Sequence, residues 1–310
     1  MKNLPKIAMG AWAWGDTDGY FGNTMTTEDF RPIFEAAVNK GLNLWDTATA
    51  YSNGESEKIL GKLANDIGRD KVIISTKFTP QMAAMYDNSV VKMCEASLKR
   101  MNMEYFDIYW IHNPIGAPEY TKQLIPLLQG GKVKSVGVSN HNLAQIKEAD
   151  EILKTAGFRV SAIQNHYSLL NRSSEQSGIL DYCKKNDIVF YGYMTLEQGA
   201  LSGKYDTSHP FPEGSARAKA FNPMLAQIEV INAELKKIAE AHGASAAQIA
   251  TAYAVNKGIL PILGVTKMYQ VEEAAKTADI ILTTEETAAL EAAADKSGAS
   301  SIQFWESKME

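Results

Sequence analysis

The chain has 310 residues, a net charge of −5, 45% hydrophobic and 22% charged residues. That is the mix of a soluble globular protein, long enough for two average domains or one large barrel. The negative balance leaves no basic footprint for nucleic acid or an anionic membrane. Cys94 and Cys183 are too few for a disulfide framework and read as reduced thiols. Met1 to Trp14 lacks the continuous apolar stretch of a signal peptide, and no run of about 18 apolar residues occurs, so a cytoplasmic location is expected.

Apolar runs alternate with helix-periodic segments from the start. The first run, Ile7 to Trp12, precedes an amphipathic stretch ending at Lys40. Thr27 is its expected N-cap, Glu28 and Asp29 occupy its first turn, and Gly41 takes the C′ position. A run closing at Asp46 leads to a predicted helix from Ser56 to Ile67, stopped by Gly68. Val72 to Lys77 is the third run, followed by a helix from Asn88 to Met101, and Phe106 to His112 is the fourth. Thr121 to Gln129, Asn142 to Thr155 and Ser174 to Asn186 are helical. They alternate with strands at Val133 to Val138, Ser161 to Asn165 and Ile188 to Tyr193. Gly199 to Asn222, with Pro210, Pro212 and Gly214, reads as a long loop after the seventh strand. An extra helix, Pro223 to Ala241, precedes the one from Ser245 to Asn256. The last strand is Ile259 to Leu263, and a helix from Thr284 to Asp295 leads to a tail with Phe304 and Trp305. Eight βα units predict a closed (β/α)8 barrel, one domain over residues 1–310. An open doubly wound sheet is the alternative, disfavoured because no G-x-G-x-x-G follows the first strand.

In a parallel barrel, Asp46, Lys77 and His112 close strands two, three and four at one rim, and Tyr51 begins the loop beside them. A phenol titrates near 10. A cation about 4 Å away, at an effective dielectric near 20, is worth roughly 4 kcal/mol, enough to bring that value down by about three. Lys77 is the available cation, and Asp46 would keep it charged against burial. His112 could donate a hydrogen bond to the same oxygen that Tyr51 protonates, and a carbonyl polarised in this way invites a hydride. The five histidines, His112, His141, His166, His209 and His242, lack H-E-x-x-H or paired ligand spacing, so no metal site is expected. A two-carboxylate hydrolase would need a partner acid near Asp46, such as Glu55 or Glu57, and would leave Lys77 and His112 unexplained.

Several ordered motifs carry a resemblance. Trp45-Asp46-Thr47-Ala48 runs through Tyr51 to Gly54-Glu55-Ser56-Glu57 and Leu60-Gly61. Thr76-Lys77-Phe78 with Pro80 follows, then Asp107-Ile108-Tyr109 with His112 and Pro114, then Gly131-Lys132 with Gly137-Val138-Ser139-Asn140. Over about Gly10 to Glu273 the chain resembles the aldo-keto reductases. The resemblance implies a nicotinamide-dependent barrel oxidoreductase with Asp46, Tyr51, Lys77 and His112 as catalytic tetrad and Tyr51 as proton donor. It further implies that Ser139, Asn140 and Gln164 hold the nicotinamide carboxamide and that Tyr193 stacks on the ring. Gly10, Ala11 and Trp12 would line the cofactor and the mouth, and Leu196, Gln198, Leu201, Ser202 and Gly203 would cross the pyrophosphate.

Two departures stand out. Thr195 follows the stacking tyrosine where the family often has proline. After strand eight, in Gly264, Val265, Thr266, Lys267 and onward, Gln270 stands where many members carry arginine, and Ala274 where they carry asparagine. Lys267 is the only cation in that segment, so NADPH is expected, held in part through Thr266, Lys267 and Gln270, with Glu273 toward the adenine or ribose; NADH remains open. Trp12, Trp14, Tyr20, Phe21 and Tyr86 are the expected aromatic lining of the substrate mouth. The expected activity is reduction of aldehydes or ketones, reversible toward alcohol oxidation. A cofactor-sensing binding module, similar to the ion-channel β subunits that share the tetrad, is the alternative. The sequence leaves the physiological substrate, the direction of flux and the oligomeric state open.

Overall fold

The computed structural model describes residues 4–17, 19–303, 305, 306 and 309; the Phe304 of the expected aromatic tail lies outside them. Eight parallel strands close into a barrel in chain order. They are β1 (Ala8–Gly10), β2 (Leu44–Asp46), β3 (Ile73–Phe78), β4 (Phe106–Ile111), β5 (Val133–Ser139), β6 (Ala162–His166), β7 (Val189–Tyr193) and β8 (Leu260–Gly264), with β8 pairing back onto β1. Around them run α1 (Thr27–Asn39), α2 (Glu55–Ile67), α3 (Val90–Met101), α4 (Ala117–Lys122), α5 (Leu124–Gln129), α6 (Leu143–Lys154), α7 (Ser173–Gln176) and α8 (Ile179–Asn186). The outer layer continues through α9 (Ala216–Phe221), α10 (Leu225–His242), α11 (Ala246–Asn256), α12 (Met268–Thr277) and α13 (Thr284–Ser297). Among the described residues no helix is long and apolar enough to cross a membrane.

Strand alternation sorts the side chains into two cores. Outward residues such as Met9, Trp45, Ile74, Tyr109 and Ile163 join the helices in one large buried cluster. Inward residues Ala8, Leu44, Ile108, Trp110, Ala162, Tyr191 and Leu260 form a separate one. Trp110 and Tyr191 meet edge to face inside the barrel, with centroids 5.2 Å apart. The space for Trp110 exists because its neighbour across β5 is Gly137: a Cβ there would lie 2.3 Å from the indole. Two residues beyond this apolar layer, on the same inward parity, stand Gly10, Asp46, His112, Gln164 and Tyr193. The alternation that fills the core therefore also delivers the polar rim.

Several local details differ from expectation. The first helix is capped by Thr26 rather than Thr27. Thr26 is extended, its hydroxyl accepts from the Asp29 amide, and Asp29 answers the Thr26 amide in a capping box. The predicted helix from Ser174 to Asn186 is broken by Gly178 at φ +79°, and the long loop ends in a short helix, α9, capped by Ser215. Both cysteines are free and buried, and burial pushes the Cys183 thiol up to about 12.

Candidate active site

Asp46 and Lys77 end up together because β2 and β3 pair with Asp46 opposite Ser75, two residues before Lys77 on the same face. Their side chains are 5% and 0% exposed and form a short, buried ion pair. Lys77 Nζ also donates to the Thr47 carbonyl at 2.7 Å and to the Tyr51 hydroxyl oxygen at 3.3 Å, so all three ammonium protons have acceptors. Asp46 Oδ1 accepts from Ser75 Oγ at 2.5 Å and from Gln164 Nε2 at 3.3 Å. Burial pulls Lys77 down, but the Asp46 carboxylate and the Tyr51 oxygen outweigh it and hold the ammonium above its ordinary value. His112 shares a hydrogen bond between Nδ1 and Thr79 Oγ1 at 3.1 Å, and its ring meets that of Tyr51 edge to face at 5.9 Å. Burial first, and the Lys77 charge second, hold His112 well below its ordinary value, so the imidazole is neutral.

The expected fall in the Tyr51 pKa is not met. Lys77 does draw it down, yet burial raises it more and the Asp46 carboxylate adds to the rise, leaving Tyr51 above its ordinary value. A cation alone would lower it; the cost of ionising a phenol away from water, and the partial cancellation of Lys77 by its own partner, reverse the sign. Tyr51 itself is held by a demanding turn. Ser52, Asn53 and Gly54 all have left-handed backbones, at φ +50°, +52° and +86°. The loop is tied down by bonds from Thr47 to Ser56 and from Ser56 Oγ to the Ala11 carbonyl at 2.6 Å.

Beside this set lies a shelf of amides. Ser139 pairs in register with Gln164, and Asn140 donates from Nδ2 to the His112 carbonyl at 2.9 Å and to Ser139 Oγ at 3.3 Å. Tyr193 donates its hydroxyl proton to Asn140 Oδ1 at 2.6 Å. On the other flank Gly10 and Gly264 face each other across β1 and β8, and a Cβ added at Gly264 would meet nothing within 4 Å. A hydroxyl and two carboxamides can both donate to and accept from a carboxamide, and the bare glycine rim leaves room for a flat group, so the residues present fit a nicotinamide dinucleotide. After β7 the chain turns through Met194, Glu197, Gln198, Gly199 and Gly203, all with positive φ. Leu196 is half-buried, Leu201 is packed into the outer core, and Ser202 Oγ closes the turn on the Gly199 carbonyl at 2.6 Å. Asn232 of the extra helix α10 fixes the loop by donating to the Ala200 carbonyl at 2.9 Å, while Thr195 is buried with its hydroxyl on the Gly192 carbonyl at 3.3 Å. Gln198 reaches Tyr20 OH at 3.1 Å, joining this loop to the one after β1.

At the far end, Gln270 Oε1 accepts from the Thr266 and Lys267 amides at 2.8 and 2.9 Å. That oxygen therefore caps α12, leaving exposed Lys267 as the nearby charge. Glu273 lies further along α12, its carbonyl accepting from Gln248 Nε2 at 3.1 Å. Val265 is buried, with its carbonyl accepting from Trp14 Nε1 at 2.8 Å.

The aromatic expectation divides. Trp12 gathers Tyr20 at 5.3 Å, Phe21 at 5.0 Å and Tyr51 at 6.0 Å. Trp14 and Tyr86 are corrected. Trp14 is 0% exposed, stacked on Phe30 at 4.5 Å and packed on Trp45 in the outer core. Tyr86 turns its hydroxyl to Arg100 Nη2 at 3.1 Å, in the layer between helices where Arg100 also pairs with Glu57. Side chains that the sequence reading passed over complete the rim. Trp305 from the tail meets Trp12 edge to face at 5.7 Å. His166 stacks on Tyr193 with both ring nitrogens 2.7 Å from carboxylates, Glu197 and Glu306. His166 follows Gln164 by two, so strand parity could have flagged it, as could Ser75 and Thr79 flanking Lys77. Nothing local marks Glu197 or Glu306.

A rim of this kind belongs to an oxidoreductase built on a barrel rather than on a dinucleotide-binding sheet. Similarity to known proteins agrees: residues 6–295 match the Aldo/keto reductase family, and the chain belongs to it. It is 31% identical to the chloroplastic pyridoxal reductase of Arabidopsis thaliana over 97% of this chain and 86% of that protein. The structure resembles that of the glycerol dehydrogenase of Gluconobacter oxydans, with a TM-score of 0.83, 26% identity and coverage of 98% and 96% of the two chains. An aldo-keto reductase of Klebsiella pneumoniae, solved with NADPH, shares the fold at a TM-score of 0.72 and 24% identity, over 93% and 90% of the chains.

Proposed function

We propose that the protein reduces aldehyde or ketone carbonyls to alcohols, reversibly, with NADPH as the preferred cofactor and Tyr51 as the proton donor. The carrying observation is the Lys77 ammonium 3.3 Å from the Tyr51 oxygen, with its remaining protons on Asp46 and Thr47. Ser139, Asn140 and Gln164 hold the carboxamide of the dinucleotide, Tyr193 packs against its ring, and Lys267 is the charge toward its distal end. The bound group supplies the hydride. The protein's part is to hold the carbonyl oxygen against Tyr51 and His112 and to keep water from the reacting carbon. As negative charge grows on that oxygen, Tyr51 delivers its proton, and the fixed ammonium stabilises the phenolate left behind. His112, being neutral, can donate one hydrogen bond to the same oxygen without competing for the proton.

The aromatic group of Trp12, Tyr20, Phe21 and Trp305 favours planar or apolar carbonyl compounds. The pyridoxal reductase relative makes pyridoxal, a planar aromatic aldehyde, the first compound to try. The test follows nicotinamide absorbance with NADPH and a panel of pyridoxal, benzaldehyde and short aliphatic aldehydes. Wild type should consume NADPH with at least one aromatic aldehyde. Tyr51→Phe should retain cofactor binding and lose activity by about 100-fold or more, the scale of a general acid. An inactive wild type across the panel, or an unimpaired Tyr51→Phe, would overturn the reading.

A further inference from the structure

The reaction as proposed makes no use of the buried group behind Tyr193. His166 closes β6 directly opposite Tyr193 on β7, and its ring lies against the tyrosine at 5.5 Å with 25° between the planes. His166 Nε2 is 2.7 Å from Glu197 Oε1, on the loop after β7, and Nδ1 is 2.7 Å from Glu306 Oε1, on the C-terminal tail. The three side chains are 2%, 0% and 3% exposed. Glu306 Oε1 also lies 3.0 Å from the Tyr193 hydroxyl oxygen, whose one proton is shared between it and Asn140 Oδ1 at 2.6 Å. Tyr193 and Asn140 are thus in direct contact with the cluster.

Its charge can be counted from geometry. A neutral imidazole has one N–H, yet both nitrogens face carboxylate oxygens at hydrogen-bond distance. Either the ring carries two protons between two carboxylates, or one carboxyl keeps a proton beside a neutral ring. Both arrangements sum to −1. Among the described residues neither glutamate has a lysine or arginine partner, and Glu197 Oε2 is buried with no hydrogen-bond partner. Nearby Lys77 and Asp46 cancel one another and His112 is neutral, so the cluster is the net charge of this side of the rim.

An oxidised nicotinamide ring is a cation, and the reduced ring is neutral. We propose that Glu197 and Glu306, gathered on His166, form a buried counter-charge that makes the protein favour the oxidised over the reduced dinucleotide, and thereby makes the bound reduced ring a better hydride donor to a carbonyl. The proposal rests on the reading above, that Tyr193 and Asn140 receive the nicotinamide.

The experiment measures dissociation constants of NADP+ and NADPH by quenching of intrinsic fluorescence at pH 7, for wild type, Glu306→Gln and Glu197→Gln. Both variants keep shape, and because the His166 ring, held up at about 9, carries both protons at pH 7, each removes one negative charge. Each should weaken NADP+ relative to NADPH by roughly tenfold, the scale of one partly screened unit charge. Glu197→Gln leaves the tail's own contacts untouched, so it carries the test even if Glu306→Gln loosens the tail. An unchanged NADP+ to NADPH ratio in Glu197→Gln would overturn this inference alone. A wild type that binds neither dinucleotide would overturn the parent reading and this inference with it.

Discussion

At the scale of single residues, the Asp46–Lys77 pair is where electrostatics and stability meet. Buried ion pairs gain little over apolar replacements, but removing one partner strands a charge. Lys77→Met leaves Asp46 in the interior with only Ser75 and Gln164 as donors. It should cost about 3–5 kcal/mol of unfolding free energy by denaturant titration, and Asp46→Asn on top of it should recover part of that loss. These residues were legible in sequence because each one interrupts an apolar run at a strand end, where a charge has no packing rationale. What sequence could not supply was the sign of the Tyr51 shift, which depends on how much water the fold removes from the phenol. Trp14 and Tyr86 were misread for a related reason. A loop aromatic has no parity to say which way it faces, and here one packs under α1 while the other meets Arg100.

At the scale of elements, the eight strands could be read from alternation alone, because the same period of two that buries Trp110 and Tyr191 raises His112 and Tyr193 to the rim. Helix ends were legible where a capping residue announces them, and uncertain by one where two threonines adjoin, as at Thr26 and Thr27. The splitting of the helical stretch around Gly178 and the helix inside the long loop depend on local backbone geometry that composition does not encode. Gly137 carries a sharp prediction. Any side chain there meets the Trp110 indole at 2.3 Å and the Ala162 carbonyl at 2.7 Å, both fixed by the barrel. Gly137→Ala should therefore destabilise by about 2 kcal/mol or more. Because Trp110 lies two residues before His112, catalytic rate should fall along with the thermal midpoint. A variant with wild-type stability would show that the barrel interior can yield.

At the scale of the whole molecule, the described residues of the tail are fastened across the rim at several points. Ser301 sits on the Leu170 carbonyl and accepts from Asn171 through its own carbonyl, Trp305 lies on Trp12, and Glu306 is on His166. Burial lowers the His166 pKa, but Glu197 and Glu306 together outweigh it and hold it up at about 9, against an ordinary 6.5. A raised value means that this contribution is complete below pH 6.5 and fades as pH rises through about 9, a change on the order of 3 kcal/mol. Glu197, Glu306, Asn171 and Tyr193 are the polar groups facing the ring. Limited proteolysis between pH 6.5 and 10 should find the C-terminal segment increasingly open to cleavage, and Glu306→Gln should flatten that dependence. A cleavage pattern independent of pH would show that His166 does not govern the tail. Parity could mark His166, but the cluster itself was not visible in sequence, since residues 166, 197 and 306 become neighbours only when the barrel closes and the chain returns over it.

The edge-to-face contact of Trp110 with Tyr191 has a consequence for the traffic of protons. It stops the barrel a layer beneath Asp46 and Lys77, so the vessel is open at one end. Under the proposed mechanism, this layer would close off a route from below for the proton that Tyr51 gives up. The replacement would then arrive through the same opening that the proposed substrate and product use. Refuelling and occupancy then compete for one doorway, and the catalyst is ready for its next cycle only after the mouth has stood open to water.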